Sequence, residues 1–325
     1  MAKRVLWLVT GGAGFIGSSI VEELVRRGER VRVLDNFSTG DRNNLKPFLK
    51  NIELVRADIR AQKPLAAALR GVDYVLHQAA LHSVPKSVDD PCASNDNNVN
   101  GTLNLLVAAK KAGVKRLVYA SSSSVYGDCN VFPQDETMLL SPVSPYAVSK
   151  LAAERYCVVW TKTYGLETVS LRYFNVFGPR QNPESKYSAV VPKLMELALA
   201  GKPLEIHWDG KQSRDFTFVG NVVQANIKAA TAPDAASGVF NIASGRSYSV
   251  LDLAGVVEKL AGKSAGRVFS PKRTGDVRRS YADISNARKI LGYEPNIGFQ
   301  EGLEITWKAF IERHPCILIG GKRVK

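Results

Sequence analysis

The stretch TGGAGFIG at residues 10–17 restricts the possible folds more than any other part of the chain, because it separates an apolar strand-like run from an amphipathic segment. Gly11 permits a tight turn, Gly14 lets a pyrophosphate approach the backbone, and Gly17 allows a helix to pack closely on the strand. The first turn of that helix offers free N–H groups and the positive end of its dipole to phosphate. The segment therefore predicts a strand, a phosphate-binding turn and a helix, in this order.

An acidic residue follows where a dinucleotide site requires one. Asp35 ends the second strand-like run, in VRVLDNFSTG. A carboxylate in this place accepts hydrogen bonds from the ribose hydroxyls of adenosine and repels a 2′-phosphate, so NAD is favoured over NADP. Asp58 and Ile59 follow the third run, where either a contact with the adenine edge or an ordinary strand-end turn would fit.

Apolar strand-like runs alternate with amphipathic helical patterns over the first half of the chain. The runs cover residues 5–9, 31–34, 52–56, 74–77, 116–120 and 168–172, and the helical patterns cover 15–27, 62–69, 97–112 and 145–164. This alternation predicts an α/β fold with a doubly wound parallel sheet in residues 1–173.

The second half of the chain is less regular. It contains strand-like runs at 204–207 and 239–242 and helical patterns at 190–200, 250–260 and 299–312. We expect residues 174–325 to form a smaller α+β lobe over the C-terminal edge of the sheet. The boundary is soft, and some later segments are expected to return to the first domain.

Composition restricts the partners and the compartment. The formal net charge is +14, but the basic residues are spread along the chain without a long run, which favours a solvated surface over nucleic-acid binding. The cysteines form no CxxC pair and the histidines have no metal-ligand spacing, so we expect reduced thiols and no metal site. The apolar run before the first glycines is too short for a signal peptide or a membrane span, which favours a cytoplasmic protein without membrane insertion.

A tyrosine and a lysine four residues apart lie at the start of a long helical pattern. Pro145 suits the first helical turn, and the spacing places Tyr146 and Lys150 on one face. A phenol with an ordinary pKa of about 10 is a poor base at neutral pH, whereas a nearby ammonium and a positive nicotinamide favour the phenolate. The serines of residues 121–124 close the fifth strand, at the edge where ligands bind in such folds. Each pattern alone is common, but together they indicate a catalytic site.

Nine motifs cover nearly the whole length of the chain. They are TGGAGFIG (10–17), DNFSTG (35–40), HQAAL (77–81), NNVNGT (97–102), SSSSVYG (121–127), YAVSK (146–150), RYFNVFGPRQ (172–181), SRDFTFV (213–219) and GDVRRSYAD (275–283). This series resembles the extended short-chain dehydrogenase/reductase family and, within it, the UDP-hexose 4-epimerases. It is most similar to the group that acts on UDP-N-acetylglucosamine.

The resemblance implies a site for tightly bound NAD and a UDP-sugar. Tyr146 would be the base, assisted by Lys150, and Ser122 would bridge the sugar C4 oxygen. The implied cofactor-binding residues are Gly11, Gly14, Phe15, Ile16, Gly17, Asp35, Asn36, Gly40, Asp58, Ile59, Gln78, Ala79, Ala80, Asn97, Tyr146, Lys150 and Tyr173. The implied substrate-binding residues are Ser83, Val84, Ser122, Ser123, Tyr146, Asn175, Ala189, Val190, Arg214, Arg273, Asp276 and Ser280.

The implied reaction inverts C4 of the sugar. Tyr146 takes the C4 hydroxyl proton while hydride moves to NAD, the 4-keto sugar turns about its diphosphate link, and hydride returns to the opposite face. Arg214 and Arg273 match the family's diphosphate arginines, whose planar forks suit a pyrophosphate, and Asp276 matches a uridine-ribose contact. Family members usually form homodimers through the helices around 97–112 and 145–164. A non-catalytic scaffold would not need these residues.

A few positions distinguish the possible substrates. Ser123 and Ser124 stand where nucleotide-sugar 4,6-dehydratases carry an Asp-Glu pair, which disfavours dehydration. Glucuronate 4-epimerases typically carry Thr and Arg where this chain has Asn175 and Asn182, so a sugar carboxylate lacks its usual cation. Ser280 matches a gate position at which a small residue leaves room for an N-acetyl group, and LHSVP is similar to the N-acetyl-preferring group. We expect interconversion of UDP-N-acetylglucosamine and UDP-N-acetylgalactosamine for polysaccharide biosynthesis, with UDP-glucuronate or UDP-glucose/galactose as alternatives.

Overall fold

A seven-stranded parallel sheet forms the centre of the computed structural model, which describes residues 4–182, 190–272 and 277–313. The strands are β1 Leu6–Thr10, β2 Arg30–Asp35, β3 Ile52–Arg56, β4 Tyr74–His77, β5 Arg116–Ser122, β6 Glu167–Tyr173, β7 Val176–Phe177, β8 Leu204–His207, β9 Ser213–Arg214, β10 Thr217–Phe218, β11 Val239–Ile242, β12 Tyr248–Ser249 and β13 Arg267–Ser270. The order in the large sheet is β11-β6-β5-β4-β1-β2-β3. The winding reverses between β1 and β4, and ligands bind at such a switch point.

Helices cover both faces of this sheet. Within the described residues they are α1 Phe15–Arg26, α2 Gln62–Ala68, α3 Val84–Asp89, α4 Pro91–Asn95, α5 Gly101–Ala112, α6 Pro145–Val159, α7 Val190–Leu199, α8 Val219–Thr231, α9 Val250–Ala261, α10 Ser285–Leu291 and α11 Phe299–Arg313. No helix among these ranges is long and apolar enough to span a lipid bilayer.

Two apolar cores explain why the strands read as continuous apolar runs. All five residues of β1 are buried, as expected for a strand covered on both faces. One core contains Ile20 of α1 and Val222 of α8, and the other contains Leu105 of α5 and Ala153 of α6. The alternation seen in the sequence therefore produces the predicted α/β fold.

The edge strand β11 corrects one expectation. The run at 239–242 was expected in the smaller lobe, yet it pairs in parallel with β6, with Val239 opposite Ser170. The helix before it, α8, was not predicted and packs against α1 in the same core. A four-residue apolar run does not reveal which sheet it joins, because that depends on the connection that precedes it. These two elements are later segments that return to the first layer.

The remaining later elements lie at the carboxyl edge of the sheet. Three small strand pairs, β7–β10, β9–β12 and β8–β13, are surrounded by α7, α9 and α11. Aromatic rings fill the middle of this lobe: Tyr248 stacks on Phe299 with centroids 4.1 Å apart, and Phe299 stacks on Phe216 at 5.4 Å. Because β7 follows β6 almost directly, the lobe stands over the strand ends that carry the predicted site residues.

Candidate active site

The turn between β1 and α1 has the close packing that its glycines predict. Gly11 has a φ of +66°, and a Cβ there would lie 2.6 Å from the backbone nitrogen of Ala79. A Cβ on Gly17 would collide with the carbonyl oxygen of Gly11. A Cβ on Gly14 would approach only that same oxygen, at 3.2 Å, so the outer side of the turn is open to a ligand. Phe15 and Ile16 begin α1 directly behind it.

Asp35 is buried at the end of β2, beside this turn. Its Oδ2 accepts a 2.8 Å hydrogen bond from the backbone N–H of Ala13, and its Oδ1 accepts one of 2.7 Å from Phe37. Each carboxylate oxygen keeps a lone pair for a further donor. Gly40 approaches so closely that a Cβ would lie 3.1 Å from Oδ2. This fixed carboxylate fits a ribose with a free 2′-hydroxyl, as in NAD.

The next strand end carries Asp58 and Ile59, which have different environments. Asp58 accepts hydrogen bonds from Arg60 at 2.8 Å and from Asn36 at 2.9 Å, and the Arg60 guanidinium holds the pKa of this carboxyl well below its usual range. The side chain of Ile59 is buried in the core beside Gly101. Asp58 is therefore held by Arg60 and Asn36, whereas the side chain of Ile59 belongs to the apolar core.

A cluster of polar side chains lies at the carboxyl ends of β4 and β6. The Tyr173 hydroxyl lies 3.0 Å from Oδ1 of Asn226 and 3.2 Å from Nε2 of Gln78. Asn226 is buried on α8, which the sequence did not predict, and so it was missed as a hydrogen-bond partner of Tyr173 and Gln78. Ala79 and Ala80 follow Gln78 along the same edge, where the Ala79 N–H donates to Oγ1 of Thr10.

The helix α6 begins at the residues that predicted it. Ser144 is the N-cap, its hydroxyl accepting a 3.2 Å hydrogen bond from the backbone N–H of Ala147, and Pro145 occupies the first turn. The geometry places Tyr146 and Lys150 on the face that meets the end of β5. There, Ser122 lies close enough to Tyr146 for hydrogen bonding to lower the pKa of the phenol.

Lys150 is held close to Tyr146. Its Nζ donates a 2.8 Å hydrogen bond to the carbonyl oxygen of Ala120 and lies 5.9 Å from the centroid of the Tyr146 ring. The same ammonium lies 5.1 Å from the Tyr119 ring. Burial lowers the pKa of Lys150 to about 7.

Burial raises the pKa of the Tyr146 phenol, and the hydrogen bond with Ser122 lowers it. The sequence predicted a phenolate favoured by the neighbouring ammonium, but burial has the larger effect on the chain by itself. A positive nicotinamide in the cleft would add the charge that favours the phenolate.

The serines after β5 differ in their contacts. Ser122 accepts hydrogen bonds from the Ser124 hydroxyl at 2.9 Å and from the Ser124 N–H at 3.2 Å, which fixes its side chain. Ser123 is half-buried at the rim. Neither Ser123 nor Ser124 can supply the carboxylate that a dehydratase would need here.

The predicted sugar contacts differ in their surroundings. Asn175, in a left-handed backbone conformation with φ of +31°, donates from Nδ2 to the hydroxyl of Ser280 over 3.4 Å. Ser280 is only 8% exposed. Ser83 caps α3 by accepting a hydrogen bond from the N–H of Lys86. Val84 is 37% exposed beside it.

The remaining predicted residues have local contacts where they lie within the described part of the chain. Val190 begins α7, and the Arg214 guanidinium donates to the carbonyl oxygen of Ser213 over 2.9 Å. Asn97 donates to the carbonyl oxygen of Ala93. Three predicted contacts, Ala189, Arg273 and Asp276, lie outside the described residues.

Buried polar residues that the sequence did not single out connect these elements. Asn98 is fully buried and bonds to both backbone groups of Leu81 and to Ser149 of α6. Glu154 and Arg172 form an ion pair behind the catalytic residues. The only signal for Glu154 is its position four residues after Lys150, and for Arg172 the presence of a charged side chain near the end of a buried strand.

Comparisons with known proteins find relatives over nearly the whole chain. Residues 7–243 match the model of the NAD dependent epimerase/dehydratase family. The chain is similar to a UDP-glucose 4-epimerase from Thermotoga maritima solved with UDP-glucose: 37% identity, TM-score 0.91, covering 95% of this chain and 99% of that chain. It is also similar to a UDP-N-acetylglucosamine 4-epimerase from Methanobrevibacter ruminantium solved with UDP-N-acetylmuramic acid. The identity is 39% and the TM-score 0.91, and the match covers 96% of this chain and 100% of that chain. A third similar structure is a UDP-glucuronic acid 4-epimerase from Bacillus cereus, solved with UDP-glucuronic acid and NAD. The identity is 33% and the TM-score 0.88, and the match covers 95% of this chain and 100% of that chain.

Proposed function

Because the chain belongs to the NAD dependent epimerase/dehydratase family, we propose that it interconverts UDP-N-acetylglucosamine and UDP-N-acetylgalactosamine. The chain is an isomerase that uses NAD to invert C4 of a UDP-sugar. The choice of an N-acetylated sugar is the finer part of the proposal. It rests on one observation, the small side chain of Ser280 beside Asn175.

Three side chains perform the proposed proton transfer. Tyr146 accepts the proton of the C4 hydroxyl, and Ser122, which lowers the pKa of the phenol by hydrogen bonding, binds the same oxygen. Lys150, anchored on Ala120, keeps a cationic group beside the phenol. When bound, NAD supplies the hydride acceptor and a positive charge that lowers the pKa of the phenol. The turn at Gly14 and the Asp35 carboxylate hold the dinucleotide in the orientation that this chemistry needs.

The space at Ser280 supports the N-acetylated substrate. A serine side chain is small, and its partner Asn175 offers an amide that can hydrogen-bond an acetamido group. A bulky side chain at this position would project into the same part of the cleft. The proposed specificity therefore depends on volume at one position and a hydrogen bond at its neighbour.

UDP-glucuronate is the second candidate, because one of the similar structures binds it. A sugar carboxylate at C5 needs a cation or several donors when it leaves water. Within residues 175–182 the arginine is Arg180, and its guanidinium contacts Glu22 and Ser19 of α1. Its charge is therefore paired with Glu22, which favours a neutral sugar.

The proposal is tested by incubating the NAD-loaded protein separately with UDP-N-acetylglucosamine, UDP-glucose and UDP-glucuronate and resolving the products by NMR. We expect the C4 epimer of UDP-N-acetylglucosamine to form with the highest kcat/KM. A higher kcat/KM for UDP-glucuronate or UDP-glucose would reject the substrate choice. Absence of a C4 epimer from all three would reject the activity.

We also propose a homodimer formed through α5 and α6. Apolar side chains on these helices stay exposed in the single chain: Val107 at 39%, Val148 at 52%, Tyr156 at 38% and Val159 at 44%. Val148, Tyr156 and Val159 are spaced so that they lie on one face of α6. Pairing these faces in two copies would cover apolar surface with a helix bundle.

A further inference from the structure

Glu154 and Arg172 are a doubly hydrogen-bonded ion pair in the interior. The Arg172 Nε donates to Oε2 of Glu154 over 3.0 Å, and its Nη2 donates to Oε1 over 2.7 Å. The two side chains are 0% and 2% exposed. Apolar residues of similar volume fill such a space without the cost of removing two charges from water, so burial alone gives no reason for this pair. Its partners suggest a more specific role.

The pair bonds to the chain on both sides of Ser122. On the upstream side, the Ser121 hydroxyl donates to Oε2 of Glu154 over 2.7 Å. On the downstream side, the Arg172 Nη1 donates to the hydroxyl of Tyr126 over 2.8 Å. The Tyr126 hydroxyl donates in turn to Asn241 of β11 over 2.7 Å. The segment that carries Ser122 is therefore attached to the pair at its two ends.

The same pair fixes the helix that carries the base. Glu154 follows Lys150 by one helical turn and Tyr146 by about two, so the three side chains lie along one face of α6. Holding Glu154 against Arg172 of β6 and Ser121 of β5 sets both the height and the rotation of α6 over these strands. Those two parameters determine the separation of Tyr146 and Ser122.

We propose that the Glu154–Arg172 pair is a positioning device that sets the distance and angle between Tyr146 on α6 and Ser122 on β5. This inference rests on the proposed function, since it assigns the pair a role in the proton transfer between these two groups. Glu154 and Arg172 touch neither substrate nor cofactor in this role; they act through the two elements that they join.

The chain contains a matched control at the opposite end of the same strands. Arg116 of β5 is buried and pairs with Glu167 of β6 at 2.6 Å, and it also bonds to the carbonyl oxygens of Ala229 and Ala232. In the β5–β6 register Arg116 lies opposite Glu167, and Ser121 lies opposite Arg172. The control pair has the same charged groups and joins β5 to β6, whereas Glu154–Arg172 joins α6 to β6. The glutamate side chain of the control pair is 49% exposed, and among the described residues the control pair forms no hydrogen bond with α6 or Ser122.

The main test removes both charges of each pair. The variants are Glu154→Leu/Arg172→Met and, as control, Glu167→Leu/Arg116→Met, both as NAD-loaded protein with the UDP-sugar that the wild type epimerises. We expect the first variant to lose about 100-fold in kcat with KM changed by less than about threefold, since small misplacements of reacting groups have effects of this size. We expect the control to stay within about twofold of wild type in kcat.

A second readout does not depend on turnover. The phenol of Tyr146 is titrated by ultraviolet absorbance in the NAD-loaded protein, as a difference against Tyr146→Phe in the same background. We expect the Glu154→Leu/Arg172→Met variant to titrate at a pH higher by about one unit, because the Ser122 hydrogen bond is weakened. If the wild type epimerised no UDP-sugar, the proposed function would fail, whereas this titration would still test the positioning role.

Single substitutions keep the test decisive if the double variant does not fold. Ser121→Ala removes the link from Glu154 to β5. Tyr126→Phe removes the link from Arg172 to the segment after Ser122, together with the hydrogen bond from Tyr126 to Asn241. We expect each to lower kcat about tenfold at an unchanged melting temperature. The proposal is overturned if the variants of this pair keep wild-type kcat and phenol titration, or if they and the control variants lose kcat equally and in parallel with the melting temperature.

Discussion

Two opposing effects decide the proton of Tyr146. Burial raises the pKa of the phenol, while the hydrogen bond with Ser122 lowers it. Burial also lowers the pKa of Lys150 to about 7, so the ammonium near the phenol is lost easily as pH rises. The base therefore depends on its neighbours and on the bound dinucleotide for its activity at neutral pH.

Replacement of Tyr146 by phenylalanine tests the assigned base. We expect kcat to fall by about 10³-fold, the size typical of losing a general base, with the NAD content of the purified protein unchanged. Turnover and bound NAD are measured on the same preparation. Tyr164→Phe is the control, because this ring is 49% exposed at the far end of the helix. Tyr146→Phe activity above about a tenth of wild type would contradict the assignment.

Replacement of Ser280 by tyrosine tests the proposed basis of specificity. The larger side chain would occupy the space next to Asn175, so we expect kcat/KM for UDP-N-acetylglucosamine to fall at least about 100-fold and that for UDP-glucose to change by less than about fivefold. Ser285→Tyr, at an exposed helix start, is the control. Equal losses for the two sugars would show that Ser280 does not discriminate between them.

At the scale of elements, a directed hydrogen-bond chain connects β1, β4 and α5. The Thr102 hydroxyl donates to the Asn98 carbonyl oxygen, so it accepts from Nε2–H of His77, and Nδ1 of His77 then accepts from the hydroxyl of Thr10. The imidazole must be neutral for this chain to exist. Burial lowers the pKa of His77 to about 3.

This histidine predicts an acid-sensitive stability. The unfolded chain binds a proton at His77 below about pH 6.5, whereas the folded chain does so only near pH 3, so stability is lost as pH falls between these values. Between pH 6 and 4, we expect His77 to lower the free energy of unfolding by about 1.4 kcal/mol for each unit by which the pH falls. His77→Gln should be less stable at pH 7 but show a shallower slope, measured by urea unfolding of NAD-saturated protein. An unchanged slope in His77→Gln would contradict the role assigned to His77.

The sequence predicts elements better than the contacts between them. The patterns at 52–56 and 74–77 coincide with β3 and β4, because apolar runs bounded by turn residues carry a local signal. The pair of Glu154 and Arg172 carries no such signal, since it depends on the register of β5, β6 and α6 together. The helix α8 was missed because its buried Asn221 and Asn226 weaken the apolar pattern. Their polar partners appear only when distant strands and loops meet.

At the scale of the whole molecule, the surface combines a +14 charge with exposed apolar side chains on α5 and α6. Many basic side chains form local pairs, such as Arg26 with Glu23 and Arg267 with Glu258, which fits a solvated surface. The apolar residues of α5 and α6 instead suggest contact with a second copy. We therefore predict self-association from the exposed apolar side chains of these two helices.

Charge introduced on that face should separate the copies. We expect Val148→Lys/Val159→Lys to sediment as a monomer under conditions where the wild type sediments as a dimer, because two lysines would be placed in an apolar contact. Val268→Lys, on a strand residue that is 52% exposed in the lobe, should leave the wild-type mass unchanged. A wild type that sediments as a monomer, or a double variant that stays dimeric, would contradict the proposed interface.

In the proposed reaction, the C4 hydrogen leaves and returns as the same hydride within one active site. The direct measurement uses UDP-N-acetylglucosamine carrying deuterium at C4, incubated in ordinary water with the NAD-loaded protein, and locates the label in the product by NMR. Because the same hydride returns, we expect UDP-N-acetylgalactosamine that retains deuterium at C4. Product with hydrogen at C4 would contradict it.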